Sequence, residues 1–568
     1  MPQSPNISRH ILTVLVEDYF HVGAFEKLIH QQNWGHFEPR YRQNTIKALD
    51  LLDRFGAKAT FFILGWIAEN DPSLVREIAE RGHEVADRGF YHRSVRSLTP
   101  DEFREDLRRS RAALEAASGR KIIGYRAAEK LSPERDEWIQ HTLAEEGYLY
   151  DASMMPTRNT PPEKRVLHEV ETEFGKISEL PYATIDTGIG PLPISGGNYI
   201  RQIPYTLTRR AVRRWLEKGD DPFIFYFHVW ELDPDQPRIS AASRLNRIRH
   251  YRKLDKMEWI LNENLGLYGS SDIAGYLGLL SEYEVSTDGQ AALASTPEKQ
   301  VQRQGRKTPV TIVIPCYNEE ASLPYLSNTL RSVDTTLSAA GYKASFIFVD
   351  DRSTDATTQI LKELFGEKQN FSIIHHSENK GVSAAIMTGL KAAETEIVCS
   401  MDCDCTYDPH ELARMIPLLT DADMVTASPY HREGGVRNVP QWRLFLSKGA
   451  SFLYRRVLTS QLDTYTSCFR VYRKSSVEKL QPRESGFLGV AELLGLLDLA
   501  GGCIIEFPAV LNVRLFGSSK MKTLRTIGGH LGLLSRLASQ KWFGKSRTIK
   551  TSSTPKADTA VSGNLAKG

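Results

Sequence analysis

Two aspartates stand two residues apart in the stretch SMDCDCTYDP, Ser400 to Pro409, and two cysteines alternate with them. Asp402 and Asp404 offer hard oxygen ligands, whereas Cys403 and Cys405 offer soft sulfur. In extended backbone, side chains two apart project to the same face, so the carboxylates can converge while the thiols turn away. Magnesium or manganese takes one or two carboxylates and completes its shell with water and substrate phosphates. Zinc would need two more soft ligands, and no Cys or His pair is spaced to supply them. The pattern points to Mg2+ or Mn2+ on Asp402 and Asp404, with the cysteines as small buried hydrophobes. A second acidic pair, Asp350 and Asp351 in VDDRSTDAT, also falls where a strand ends, and Ser353, Thr354 or Asp355 can cap the helix that follows.

Such clusters need elements to position them, and both halves alternate short β-branched runs with amphipathic segments, as α/β domains with parallel strands do. In the first half the runs ILTVLV, KATFFIL, HEVAD and KIIGYRA read as strands, and Thr99-Pro100-Asp101-Glu102 reads as a capping box opening a helix. In the second half VTIVIPCY, SFIFVDD, FSIIHH and EIVCSMD read as strands separated by helices. Serial crossovers of that kind build a doubly wound sheet whose ligands collect at the carboxyl ends of strands.

The chain has 568 residues, which at about 150 per domain predicts two to four packed units, and two large domains fit. Lys plus Arg number 72 against 69 for Asp plus Glu, a net charge of +3 that gives no reason to expect nucleic acid. The apolar run near the N-terminus is too short for a signal peptide and is broken by Glu17-Asp18; nowhere do about 18 uncharged apolar residues follow one another. All six cysteines lie in the second half without zinc-ribbon spacing, which predicts reduced thiols and a cytoplasmic protein. Loss of apolar periodicity suggests a linker at 281–308 between domains at 1–280 and 309–544, and the tail 545–568 has the composition of a disordered end.

Six ordered motifs in the second half, TIVIPCYNEE, VDDRSTD, ENKGVSAAIMTGL, MDCDCTYDP, TSCFRVYR and RLFGSSKM, resemble the family 2 glycosyltransferases, most of all the dolichol-phosphate mannosyltransferase group. The resemblance implies a GT-A, Rossmann-like doubly wound domain that moves a hexose from a GDP- or UDP-sugar to a polyprenyl phosphate or a glycan, inverting the anomeric carbon. A divalent ion on Asp402 and Asp404 would neutralise the departing diphosphate as Lewis acid and template. Asp350 and Asp351 match contacts to nucleobase and ribose, with Asp402 completing the donor set, and Pro315, Tyr317 and Glu319 would wall the nucleotide pocket. Arg470, Arg514 and Lys520 match cations that grip the diphosphate or an acceptor phosphate. Arg352 stands where Gly is usual after the paired Asp. Glu492 reads as a helix-surface carboxylate, with a base for a hydroxyl acceptor as the alternative. The segment 523–543, apolar with scattered cations, either lies in the membrane interface beside a lipid-linked acceptor or packs as a core helix. The first choice would give peripheral contact at the inner face of the membrane.

In the first half TVLVEDYFHVGAFE, KATFFILGWIAE, GHEVADRGFYHRSV, GYRAAEKLS, YDAS and FYFHVWELDPDQPR resemble polysaccharide deacetylases of the NodB-homology type found in exopolysaccharide clusters. That resemblance implies a distorted barrel of parallel strands with helices outside, and hydrolysis by a metal-bound water with an aspartate base and a histidine acid. Here Leu15 replaces the base aspartate, Arg88 replaces the first ligand of His-x-x-x-His with His92 kept, and Ala128 replaces the proline after Arg126-Ala127. The degenerate site comprises Leu15, Glu17, Asp18, Arg88, His92, Arg126 and His228. Loss at the chemistry with the frame retained implies a domain that folds without a metal and does not hydrolyse, and that could still bind a glycan. The alternative is a rearranged site in which Glu17, Asp18 and His92 hold a metal and Glu129 acts as base, making the chain bifunctional. A non-enzymatic nucleotide-sugar-binding regulator is the third reading.

Overall fold

The computed structural model describes residues 10–187, 190–219, 221–283, 307–517 and 523–543. The chain divides into two compact units, one up to Arg303 and one from Gln304. Most of the expected linker and all of the expected tail lie outside the described residues.

The first unit is an open, distorted barrel. Its strands in chain order are β1 (His10–Val16), β2 (Thr60–Ile63), β3 (Glu84–Asp87), β4 (Gly124–Tyr125), β5 (Tyr150–Asp151), β6 (His168–Thr172), β7 (Gly175–Glu179), β8 (Thr184–Asp186), β9 (Pro191–Pro193) and β10 (Phe223–His228). Eight of them form one sheet ordered β10-β1-β2-β3-β4-β5-β7-β6, so β10 and β6 are its free edges, while β8 and β9 form a separate hairpin. β1 is parallel to both β10 and β2, and six of its seven residues are buried. Burial on both faces is why it reads as a continuous apolar run rather than an alternating one. The helix Pro100–Ser118 begins at the expected capping box: Glu102 N–H donates to Thr99 Oγ1 at 3.3 Å and Thr99 N–H to Glu102 Oε2 at 2.8 Å. Phe103, Leu107, Ser110, Leu114 and Ala117 recur on its buried face, and Gly119 in the left-handed region (φ 66°) ends it.

The second unit has strands β11 (Thr308–Cys316), β12 (Tyr342–Asp350), β13 (Phe371–His375), β14 (Ile397–Ser400), β15 (Met424–Ser428), β16 (Gly435–Arg437), β17 (Arg470–Arg473), β18 (Ile504–Pro508) and β19 (Val510–Asn512). Seven are ordered β13-β12-β11-β14-β17-β15-β18, with β17 antiparallel to its neighbours, and β16 pairs β19 apart from them. Strand order reverses at β11, which lies between β12 and β14. The carboxyl ends of these three strands therefore meet at the switch point where such sheets bind ligands. The crossover helix Val382–Ala392 lies close on β11: a Cβ at Gly389 would come 2.3 Å from Val313 Cγ1.

Candidate functional site

β14 ends at Ser400, so Asp402 and Asp404 sit on a turn rather than on a strand. Cys405 N–H donates to Asp402 O at 3.4 Å, and Cys405 itself is left-handed (φ 52°). The two carboxylates converge because the chain turns, not by the alternation of an extended strand. Cys403 Sγ lies 3.6 Å from Cys316 Sγ inside the core, Cys405 is half-buried, and all six cysteines are free thiols.

Arg514 joins the acids at this corner. Its guanidinium contacts Glu319 Oε2, and its Nε lies 3.6 Å from Asp404 Oδ2. One cation thus faces three carboxyl groups. Burial, and then the Asp404 carboxylate, push the Asp402 carboxyl up to about 7 against the pull of Arg514. A set of hard oxygens with surplus negative charge fits a divalent ion that keeps part of its shell for water and phosphate. Among the described residues no group of three His, Cys, Asp or Glu is arranged as a ready-made cage.

Asp350 ends β12, Asp351 follows it, and both are buried. Asp350 accepts from Ser353 N–H at 3.0 Å and Thr358 Oγ1 at 2.6 Å, and lies 3.1 Å from His375 Nδ1. Burial works to raise its pKa, but the hydrogen bonds from Ser353, Thr358 and His375 outweigh it and leave the carboxyl below its ordinary value. Asp351 accepts from Lys380 N–H and Gly381 N–H at 2.7 Å each and lies 2.7 Å from His376 Nδ1. Both carboxylates organise the loops around the pocket, and Asp351 holds the N-terminal end of the helix Val382–Ala392. Arg352 is exposed and left-handed (φ 64°), which explains why glycine is usual there. Pro315 near the end of β11 and Tyr317 and Glu319 just after it are all half-buried, and Glu319 reaches the Asp404 corner through Arg514.

Three expectations need correction or fall away. Arg470 is wholly buried and its donors are spent on the protein: Nη1 on Val490 O at 2.7 Å, Nη2 on Tyr465 O at 2.8 Å and Nε on Thr426 Oγ1 at 3.3 Å. It braces the fold and is not a phosphate grip. Glu492 is buried rather than on a helix surface, and accepts from Glu484 N–H at 2.7 Å. Lys520 lies outside the described residues.

In the first unit, Glu17 at the end of β1 is the centre of a cationic cluster. Arg88 Nε and Nη2 each lie 3.0 Å from Glu17 Oε2, and His92 Nε2 lies 2.8 Å from the same oxygen. Oε1 is 2.5 Å from His228 Nδ1 and accepts from Trp230 Nε1 at 3.3 Å. Burial alone would raise the Glu17 carboxyl; Arg88, His228 and His92 hold it well below the carboxylate range. Trp230 was not singled out by sequence, although its place in FYFHVWELD beside His228 was the available signal. Asp18 does not join this cluster. Its carboxylate accepts from the backbone N–H groups of Tyr19, Arg40 and Tyr41 at 2.8, 2.5 and 2.8 Å, bracing the start of the helix Tyr41–Phe55. Glu129 is engaged by Ser94 Oγ at 2.5 Å and Arg96 N–H at 3.3 Å, away from Glu17. Leu15 is buried among Phe62, Tyr182 and Tyr226.

The family model for glycosyl transferase family 2 matches residues 311–481, that for polysaccharide deacetylase matches 34–136, and a domain of unknown function (DUF3473) matches 152–271. A dolichol-phosphate mannosyltransferase of Pyrococcus furiosus is 31% identical over 247 residues, covering 43% of this chain and 67% of that protein. A polyprenol monophosphomannose synthase of Mycolicibacterium smegmatis is 28% identical over 218 residues, covering 37% of this chain and 80% of that one. Among solved structures, a polysaccharide deacetylase from Mycobacterium smegmatis superposes with a TM-score of 0.32 and 18% identity, covering 52% of this chain and 97% of the other. The protein is a glycosyltransferase fused to a deacetylase-like domain. Through its second unit the chain belongs to glycosyltransferase family 2.

Proposed function

We propose that the second unit transfers a hexose, with inversion, from a GDP- or UDP-sugar to a polyprenyl phosphate in cell-envelope polysaccharide synthesis. The first unit, in this reading, is a deacetylase frame that no longer hydrolyses. The observation that carries the transferase reading is the acidic corner at the switch point, where Asp402, Asp404 and Glu319 gather around the guanidinium of Arg514. Asp402 and Asp404 would hold Mg2+ or Mn2+, which when bound supplies charge neutralisation to the leaving diphosphate. Arg514 is placed to move from Glu319 onto a phosphate, where a bidentate guanidinium is strongest. A phosphate acceptor is already an anionic nucleophile, so no carboxylate base is needed, in keeping with Glu492 being buried and occupied.

A lipid acceptor also accounts for an unusual surface. The helix Gln441–Val457 exposes Trp442, Phe445, Phe452 and Leu453, and the helix Thr523–Phe543 packed against it exposes Leu531, Trp542 and Phe543. Tyr454 OH and His530 Nδ1, 2.8 Å apart, and a hydrogen bond from Lys541 Nζ to Val457 O tie the two together. Of the two alternatives for the second helix, Leu533, Leu534 and Leu537 support core packing, and its exposed aromatics support the interfacial reading. Arg443, Lys448 and Arg456 flank the aromatics, a composition suited to an anionic membrane surface. None of the described helices is long and apolar enough to cross a membrane.

In the first unit the Arg88 guanidinium fills the place on Glu17 that a metal would take, and a group that cannot be deprotonated repels a cation. The residues present do not fit the metal of a deacetylase, so no hydrolytic step is assigned. Purified protein given UDP- or GDP-hexose, Mg2+ or Mn2+ and polyprenyl phosphate should yield sugar-lipid from one donor, and Asp404→Asn should abolish it. Turnover with glycan but not lipid phosphate would move the acceptor to the glycan class; no turnover with any pair would sink the reading.

A further inference from the structure

Next to the Glu17 cluster the first unit buries a cation that forms no ion pair among the described residues. Arg126 follows β4 and is 2% exposed. Its guanidinium lies 4.4 Å from the ring centroid of Tyr226, 4.7 Å from that of Tyr182 and 5.8 Å from that of Phe62. Nη1 donates to Thr13 Oγ1 at 3.3 Å, and Nε has no partner. Its charge acts on the buried Asp151 carboxyl, which Ser153 and Glu179 also approach and whose Oδ2 has no hydrogen-bond partner. A second cation shares this cradle. Lys130 Nζ lies 4.3 Å from the Tyr199 centroid and 5.4 Å from that of Tyr182, and contacts the Tyr199 hydroxyl. Burial lowers the pKa of that ammonium, and the charge of Arg126 adds to the effect. Among the described residues neither cation forms an ion pair.

The floor of this cradle is closed and its rim is open: Arg126 is buried, whereas Lys130, Tyr199 and His228 are half-buried. Ser195, whose buried Oγ has no partner, precedes Gly196, where a Cβ would come 2.2 Å from the Tyr226 ring. The Tyr226 ring in turn stands 6.0 Å from that of His228, joining the cradle to the Glu17 cluster. A guanidinium stays charged whatever its surroundings, and an uncompensated buried charge is a large cost that cation–π contacts offset only in part. A planar fork beside a point charge is the natural complement of a carboxylate or phosphate. Tyrosine walls favour the apolar face of a pyranose ring.

We propose that this cradle is an anion-recognition site, in which Arg126 and Lys130 take the carboxylate or phosphate of an acidic sugar. It gives the non-hydrolysing domain a binding role, and it stands whether or not the transferase assignment holds. The test is calorimetric titration of the full chain with D-glucuronate, D-glucose 6-phosphate and D-glucose. At least one acidic sugar should bind ten times more tightly than glucose, with glucuronate ahead if the charge is a carboxylate and the phosphate ahead if it is not. Lys130→Gln, at the half-open rim, and Arg126→Gln should each erase that preference. Leu15→Asp supplies an internal carboxylate among the same rings, so it should abolish acidic-sugar binding while raising the thermal midpoint. Equal binding of acidic and neutral sugars, or a preference that survives both Lys130→Gln and Leu15→Asp, overturns the proposal.

Discussion

Replacing Arg88 with methionine tests whether the guanidinium is what keeps Glu17 ionised in the interior. Arg88 Nε and Nη2 both lie 3.0 Å from one Glu17 oxygen, and both side chains are almost fully buried. Removing one partner of a buried pair costs about 3–5 kcal/mol, because the other charge is left without its counterion. His92 and His228 stay in contact with the carboxylate and soften the loss, which at pH 8 should be about 3 kcal/mol. That is a shift of roughly a hundredfold in the unfolding equilibrium. In the native protein the Glu17 pKa is depressed, so its contribution is present above the unfolded pKa and lost as pH falls through the folded one. In Arg88→Met the chief counter-charge to burial is gone, the folded pKa rises, and protonation becomes easier in the folded state than before. The deficit should therefore shrink between pH 8 and pH 5. Urea unfolding followed by tryptophan emission reads this unit well, since Trp34, Trp66, Trp138, Trp215, Trp230 and Trp259 lie in it and only Trp442 and Trp542 in the other. A loss below about 1 kcal/mol at pH 8, or one that grows towards pH 5, would refute the account.

Other perturbations separate the remaining roles. Arg88→His removes the fixed charge and places an imidazole near Glu17 and His92; zinc should then bind in a calorimetric titration where the native chain shows none. Arg470→Met leaves the Val490 and Tyr465 carbonyls without their donor and should cost about 2–4 kcal/mol of stability, while the donor KM of the folded fraction stays unchanged. A raised KM instead would return Arg470 to the substrate site. Phe445→Ser with Phe452→Ser, at positions 78% and 57% exposed, should lower flotation with anionic vesicles at least tenfold. Thermal stability should shift little, as exposed positions usually allow.

Much of the frame was legible because it rests on local rules. The runs TIVIP and FIFVD read as strands through β-branched content, and Thr99 with Glu102 wrote the start of a helix in four residues. The Asp402/Asp404 corner was found for a reason that proved incomplete: alternation along a strand was expected, whereas a turn with left-handed Cys405 brings the carboxylates together. Local pattern cannot show where a cation's donors end. Arg470 looks like any motif arginine until β15, β17 and the helix Phe487–Leu499 close around it, and Glu492 looks exposed until the Glu484 backbone folds over it. The same limit hid Trp230 and the Arg126 cradle, whose members come from segments distant in sequence.

Charge balance sets the two carboxylate clusters of the chain apart. Around Glu17 a single carboxylate meets one permanent cation and two imidazoles, so the cluster is neutral or positive at any pH where it is folded. Adding a divalent ion there would bring like charges together in a region stripped of water, where repulsion is weakly screened. Around Asp402 the reverse holds. Among the described residues, Asp402, Asp404 and Glu319 set up to three negative charges against Arg514, an excess suited to a divalent ion. Burial first, and the Asp404 carboxylate after it, raise the Asp402 pKa. A single substitution decides the sign in the first unit: without Arg88, Glu17 would be an acid in search of a cation, as Asp402 is.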